Sequence, residues 1–450
     1  MIFSYFLIVT RVFAGWFIYI FRLKSIRPKL YYSSIYLFSK QSFRLPQSAK
    51  ADFLIVFKTY VNTLRSVFKN VSENHKTGPG NIAVLDSTIK GVDARVSYLS
   101  IFNVKPDLFL VRESLQGSYN FRQKLLSFFL ATKLFSFFWL GSFSRNRVAY
   151  ALVIKEGIEW LNLLAILKRN KIEEIYIFSI YEKDSNMLAH LLKKRRIKVN
   201  KITSEVPLTF ANKIIVADKI ILCFNYQKEE LEAYKKTMFY TETETWLPEA
   251  QGAYLHLYKN KSFEIPQQVI GFYSSAFWLR KRLNHSIADV GSYDAEEEVL
   301  KYVSEYLVKN PSLKMVIFTH PYEKKTEEIF KDTQAYYKSV LDPQILDRVE
   351  VTGKEIISTH TFNKVNIGIS VFSTIMFERI NLGFKTILTP IDKKDFPLVN
   401  SPFRNICAYS KEELFNKLDK NVSLSMSDFF EMNKISNYVS KEASIKYNLV

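Results

Sequence analysis

Cysteine is nearly missing. Cys223 and Cys407 are the two in 450 residues, and both sit in apolar, strand-like runs. That argues against a disulfide framework and a Cys-based zinc site, and it suits a reducing compartment. The six histidines, His75, His190, His256, His285, His320 and His360, show no metal-binding spacing with one another or with the cysteines, so no metal cofactor is expected. Glycine and proline are sparse at 13 each, and with 48% hydrophobic residues the chain is globular, not disordered. Three glycine signatures are absent: the phosphate loop G-x-x-x-x-G-K-[ST], the dinucleotide turn G-x-G-x-x-G after a strand, and the nucleophile elbow G-x-S-x-G. Kinase-like ATP chemistry, a standard dinucleotide fold and an α/β-hydrolase thereby lose their main sequence support.

Acidic residues are outnumbered, 44 against 63 Lys and Arg, and the net charge of +19 calls for an anionic partner: nucleic acid, acidic lipid or a phosphorylated small molecule. Aromatics make up 15% and crowd into the N-terminal third as Phe-rich apolar runs, which favours a membrane surface over nucleic acid. Residues 1–21 are apolar apart from Arg11 and are followed by Arg22, Lys24, Arg27 and Lys29. The run is long enough to span a bilayer with the bulk of the protein in the cytoplasm; Arg11 equally suits a helix lying in the interface, and a buried element of the first domain is the third option. Residues 124–140, flanked by Arg122, Arg145 and Arg147, read as a helix resting on anionic lipid or as a buried domain helix.

The chain is too long for one ordinary core, which suggests two domains. After a membrane-associated segment 1–50, helix 51–69 leads to strands 81–86 and 107–111. Helices and strands then alternate from 156 to 225, the last strand covering 213–224, as in βαβ units with a parallel sheet. Residues 226–266, including polar Thr241–Trp246, read as the connection that closes a first domain over 51–265. A second series of strands and helices follows over 266–425, with a tail 426–450. Two such parallel-sheet domains facing each other make a cleft.

Two segments of the second series carry the chemistry. Lys314–Phe318 runs into Thr319-His320-Pro321, and Asn366–Ile369 runs into Ser370-Val-Phe-Ser373-Thr374, with Glu378 and Gly383 beyond. Both look like C-terminal ends of buried parallel strands, where α/β sheets bind ligands. Ser373 and Thr374 open a helix whose N–H groups and dipole favour a phosphate. His320 is either a donor or cation for developing phosphate charge or a structural loop residue. Glu378 suits a ribose diol or a neighbouring Lys. Ser274 and Ser275 end the first strand of the series. Earlier, Glu182, Asp184 and Ser185 stand before a helix, as an N-cap or as a general base.

The pairing of Thr319-His320-Pro321 with Ser370-x-x-Ser373-Thr374 resembles the "HP" and "S-S/T" motifs of bacterial sialyltransferases, polysialyltransferases and capsule Kdo transferases. The resemblance covers about residues 268–390. It implies a GT-B-like α/β fold of two Rossmann-like domains and transfer, with inversion and without a metal, of an acidic sugar from a CMP-sugar donor to a surface-glycan or lipid-linked acceptor at the inner face of the membrane. His320, with Pro321, would meet the CMP phosphate and help it leave, and Ser373 and Thr374 would hydrogen-bond it. The base is expected at Asp184 or Glu182, ahead of Glu113 and Asp86. The family's paired-acid-glycine signature is absent. A UDP-sugar or CDP-glycerol-type donor is the nearer alternative, and a non-catalytic membrane scaffold the more distant one.

Overall fold

The computed structural model describes residues 2–38, 49–68, 75–76, 80–86, 92–111, 121–141, 147–178, 185–202, 215–222, 227–233, 238–246, 257–258, 263–284, 292–371, 373–391 and 401–439. The chain divides into two compact units, Met1–Trp246 and Leu247–Val450. Both are Rossmann-like α/β units built on a mainly or wholly parallel sheet.

The first unit runs α1 (Ile2–Ile20), α2 (Pro28–Phe38), α3 (Ala49–Phe68), β1 (His75–Lys76), β2 (Ile82–Asp86), α4 (Val92–Ile101), β3 (Leu108–Val111), α5 (Phe121–Gly141) and α6 (Arg147–Arg169). It continues with β4 (Glu174–Ile177), α7 (Ser185–Lys193), β5 (Lys198–Ile202), β6 (Ile215–Val216), β7 (Lys219–Leu222), α8 (Gln227–Ala233), β8 (Met238–Phe239) and β9 (Glu242–Thr245). The main sheet is ordered β1-β3-β2-β4-β5-β7-β9 and is parallel except for β1 on its edge. Helix α1 is part of this unit's core. Its buried residues Ser4, Ile8, Val12, Gly15 and Ile18 recur every three or four positions, the spacing of one helix face. Gly15 permits the close approach, since a Cβ there would lie 2.5 Å from Ser34 Oγ and 2.9 Å from Met187 Cε.

Two expectations change here. The single strand expected over 213–224 is two strands in different sheets, because Asp218 breaks it: its carboxylate accepts the Val199 N–H at 2.9 Å and pairs with Lys193. Thr241–Trp246, expected in a connection, contains β9, paired in parallel with β7. An edge strand tolerates polar residues because one flank faces water, and Trp246 stacks on Phe102 at 4.2 Å to close the core beneath it.

The second unit runs β10 (Val269–Tyr273), α9 (Phe277–Arg282), α10 (Ala295–Lys309), β11 (Lys314–Phe318), α11 (Glu327–Val340), β12 (Val349–Val351), β13 (Ile367–Ser370), α12 (Thr374–Asn381), β14 (Thr386–Leu388), α13 (Lys411–Asn421) and α14 (Met426–Met432). Its five strands are all parallel, in the order β12-β11-β10-β13-β14. Counted along the chain this is 3-2-1-4-5, so the order reverses between β10 and β13, and a crevice at their C-terminal ends is where such sheets bind ligands.

A buried arginine pins that junction from below. Arg379 on α12 is fully enclosed and donates to the Tyr273 hydroxyl at 2.7 Å and to the carbonyls of Phe362 and Lys385 at 3.1 Å, with the faces of Tyr273, Phe362 and Phe384 around its guanidinium. Gly368 in β13 makes room for it, because a Cβ would fall 2.5 Å from Arg379 Nε. At the helix end, Phe384 N–H donates to Arg379 O and Gly383 N–H to Ile380 O, with Gly383 at φ 81°, a Schellman cap that needs glycine's left-handed freedom. The Lys385 ammonium donates to the carbonyls of Asn421, Val422 and Leu424, which ties the end of α13 to the sheet.

Candidate active site at the C-terminal edge of the second sheet

The strands of the second unit end in a row of hydroxyl and polar residues: Thr352 after β12, Thr319 and His320 after β11, Ser274 and Ser275 after β10, Ser370 closing β13, and Thr389 after β14. Parallel register sets them side by side, since Tyr273 pairs with Phe318, Phe272 with Ile369, and Ser370 with Leu388. Both sequence motifs therefore lie on one edge of one sheet, on either side of β10. Two strand spacings separate their strands, roughly 10 Å. Thr319 Oγ1, Ser370 Oγ and Thr389 Oγ1 are buried without a hydrogen-bond partner. A buried hydroxyl costs free energy unless it is satisfied, so three on one edge are suited to a polar ligand.

His320 caps a short 3-10 helix, Pro321–Lys324, in which Pro321 occupies a position whose N–H would have no partner. The Glu323 carboxylate accepts the His320 N–H at 2.7 Å, and His320 Nδ1 accepts the Tyr322 N–H at 3.1 Å. With Nδ1 accepting, the neutral ring's proton is assigned to Nε2, leaving Nε2–H as a donor. Burial, helped by Arg280 and Lys324, holds the imidazole down to about 4, so at neutral pH it is an uncharged donor. Arg280 stands over the Tyr322 ring at 5.0 Å and donates to Ser275 O at 3.1 Å, and Tyr322 in turn packs on His320. Arg280 and Lys324 thus bring positive charge to His320. Neither was singled out from sequence, because an Arg and a Lys in a chain with 63 basic residues carry no signal of their own.

Two carboxylates missed by the sequence reading hold these loops. Glu296 on α10 accepts the Ser275 N–H and, at 2.6 Å, the Phe277 N–H. Glu323 accepts from the Trp278 indole at 2.5 Å and from the Tyr337 hydroxyl at 2.8 Å. The Ser274 hydroxyl lies near both acids, lowering each of them against the effect of burial, and accepts the Ala276 N–H at 2.9 Å. Burial raises both acids, and their mutual repulsion raises Glu296 further, to about 8. Glu323, with three donors on its oxygens, is the better stabilised anion of the pair. Ser274 and Ser275 are both buried, and the Ser274 hydroxyl faces inward, towards the acids. The only sequence signal for Glu323 is its place two residues after the His-Pro pair.

On the other side of β10, Ser373 is the N-cap of α12, and its hydroxyl makes no capping hydrogen bond. Ser373 is partly exposed and Thr374 exposed, beside the first N–H groups of the helix, which have no partner within it. Glu378 lies a turn further on. Its Oε2 is enclosed without a partner, and burial lifts its carboxyl to about 7. It forms no ion pair with a lysine among the described residues.

Of the acids expected to serve the acceptor, Glu182, Asp184 and Glu113 lie outside the described residues. Asp86, at the end of β2, is buried and paired with Arg95 at 2.9 Å. Among the described residues no three His, Cys, Asp or Glu side chains come together as a metal site.

No protein-family model and no curated protein sequence matches the chain. Solved structures with similar arrangements include a mutant O-GlcNAc transferase of Thermobaculum terrenum (TM-score 0.40, 9% identity, 95% of this chain and 76% of that one). A second is UDP-GlcNAc 2-epimerase of Neisseria meningitidis bound to UDP-GlcNAc (TM-score 0.42, 11% identity, 88% and 95%). A third is a putative UDP-N-acetylglucosamine 2-epimerase of Listeria monocytogenes (TM-score 0.46, 10% identity, 83% and 97%). All three scores are below 0.5.

Proposed function

We infer that this protein is a glycosyltransferase that takes its sugar from a nucleotide-linked donor, with the donor phosphates at the C-terminal edge of the second unit's sheet. The observation that carries the reading is the set of unpartnered hydroxyls of Thr319, Ser370 and Thr389 along the C-terminal edge of the sheet, on both sides of the point where the strand order reverses, with His320 and the start of α12 beside them.

In this reading His320 Nε2–H and the cations Arg280 and Lys324 take up the negative charge that grows on the departing phosphate. The Ser373 hydroxyl and the first N–H groups of α12 hold the phosphate on the other side of β10. Fixed donors aimed at developing charge lower the barrier because they need no reorganisation as the bond breaks. Charge building beside His320 also raises the affinity of its ring for a proton, so the leaving group can draw the imidazole toward its cationic form. Glu378 accepts hydrogen bonds from the ribose hydroxyls. The base for the acceptor hydroxyl is proposed at Asp184 or Glu182, and the acceptor is a surface glycan or lipid-linked sugar.

The spacing of the two motifs favours a diphosphate donor. The strands that carry the motifs are roughly 10 Å apart, and a diphosphate held by side chains and N–H groups from both sides fills more of that gap than a single phosphate does. A UDP-sugar is therefore placed first. A CMP-linked acidic sugar is the second reading, supported by the His-Pro and Ser-Thr motifs.

Thermal shift with UDP, CDP and CMP is the discriminating experiment, because a ligand that binds only the native state stabilises it by mass action. UDP is expected to raise Tm most; a larger rise with CMP would move the donor to the second reading. Glycan synthesis retained by both His320→Ala and Ser373→Ala would leave a non-catalytic scaffold in place of the enzyme.

A further inference from the structure

A second cationic cleft lies in the first unit. It has a volume of about 840 Å3 and is lined by Arg11, Ala14 and Ile18 of α1, Ile26 to Leu30 around the start of α2, and His190, Lys193 and Lys194 at the end of α7. Five cationic side chains therefore converge, Arg11, Arg27, Lys29, Lys193 and Lys194. They act on one another: Arg27 pushes Arg11 down after burial does, and Lys193 and Lys194 do the same to Lys29. Asp218 is the carboxylate that acts on Lys29, and it is ion-paired with Lys193. His190 is built in as a neutral strut; its Nε2 bonds the Lys29 carbonyl at 3.1 Å, and burial keeps it down to about 4. So much like charge in one cleft costs free energy that an anion returns.

The character of α1 indicates where that anion is carried. At about 100° per residue, Phe3, Phe6, Phe13 and Phe17 fall on the side opposite Ile8, Val12 and Gly15, while Ala14 and Ile18 occupy the flank between the two. The outer residues are exposed, with Phe3 65%, Phe6 59% and Phe17 50% accessible and the Arg195 guanidinium over one face of Phe3 at 4.5 Å, and Ile26 at the mouth of the cleft is 68% exposed. Helix α5, which packs against α1, also exposes Phe121, Leu125, Phe128 and Phe129. An apolar stripe of this kind with a cationic cleft on its flank matches the two layers of an anionic membrane surface, acyl chains beneath and phosphates above. Because its inner face is packed in the unit's core, α1 lies along such a surface instead of crossing it.

We propose that the cleft of Arg11, Arg27, Lys29, Lys193 and Lys194 binds the phosphate of an anionic phospholipid while the phenylalanines of α1 enter the acyl region. The occupant is a lipid headgroup because the cleft opens beside exposed phenylalanines, which a freely soluble phosphate would leave in water.

Co-sedimentation of the full-length chain with vesicles tests this, using phosphatidylcholine alone and phosphatidylcholine mixed with phosphatidylglycerol, at low and high salt. Binding is expected to the anionic vesicles and not to the neutral ones, and it is released by salt. The triple variant Arg11→Gln, Arg27→Gln, Lys194→Gln is expected to bind at least ~10-fold more weakly while melting no earlier than the parent, since it relieves like-charge repulsion. Should that variant melt early, Arg27→Glu, which alters one exposed side chain, is expected to weaken binding in the same direction. Phe6→Ser with Phe17→Ser is expected to abolish sedimentation while leaving the cleft intact. Equal binding to both vesicle types, or undiminished binding by Arg27→Glu, overturns the proposal. So does stabilisation by inorganic phosphate as large as that by anionic vesicles, which would assign the cleft to a soluble phosphorylated ligand.

Discussion

The Glu296 carboxylate accepts the backbone N–H groups on both sides of Ala276, a residue held at φ 57° in the left-handed region that a side chain normally avoids. The turn that leads out of β10 at the strand-order reversal is therefore strained in its backbone and held by a buried acid from α10. Strain retained at such a place fits a loop shaped for a ligand. Ala276→Gly is expected to stabilise the protein by about 1 kcal/mol, since glycine adopts this conformation freely. Urea denaturation reads the change, and a loss of stability would refute the account of the turn.

Glu323 plays the same part for the His-Pro loop. Glu323→Ala leaves the Trp278 indole, the Tyr337 hydroxyl and the His320 N–H without their acceptor. The expected cost is about 3 kcal/mol, measured as a shifted denaturation midpoint. Tyr337 is buried, so water cannot replace the missing acceptor for its hydroxyl.

Four groups shape the pH dependence of stability, and Glu323, also raised by burial, acts in the same sense as Glu296. His190 and His320 are held down from 6.5 to about 4, so the folded protein binds fewer protons than the unfolded one between those values. Their contribution is complete above pH 6.5 and lost as the pH falls through 4. Glu296 and Glu378 are raised from 4.5 to about 8 and about 7, so their contribution is complete below 4.5 and lost as the pH rises through those values. Stability is therefore expected to decline from pH 6.5 to 8. Glu296→Gln should flatten that decline while leaving the acid limb; urea midpoints across the range check both.

Glu378 separates stability from function. At pH 8 its enclosed, unpartnered carboxylate is charged and costs the ligand-free protein free energy. Glu378→Gln is expected to raise stability at that pH by about 1 kcal/mol and to weaken nucleotide binding by roughly tenfold, the usual exchange when a polar group serves a ligand. Calorimetric titration with UDP, beside a melting curve, reads both, and unchanged affinity would remove Glu378 from the donor site.

Gly368→Ala places a methyl group against Arg379, whose guanidinium is locked by Tyr273, Phe362 and Lys385. A loss of about 2 kcal/mol is expected. A neutral outcome would mean that Arg379 has room to move.

The strands and helices of the second unit were legible in the sequence because their signals are local. Val269–Tyr273, Lys314–Phe318 and Ile367–Ser370 are apolar runs ending in small polar residues, and helix 295–309 repeats its apolar positions with helical spacing. Asp218 and β9 were not legible, because a break between two sheets and an edge position are properties of neighbours in space. That His320 and Ser373 follow strand ends was readable along the chain, since each comes after its own apolar run. Packing in three dimensions set β10 between their strands, brought the charge of Arg280 to bear on the histidine, and grouped Glu296 and Glu323 about the buried Ser274 hydroxyl. Those relations join residues 20 to 100 positions apart, and they arise from strand order and helix packing, which no short stretch of sequence encodes.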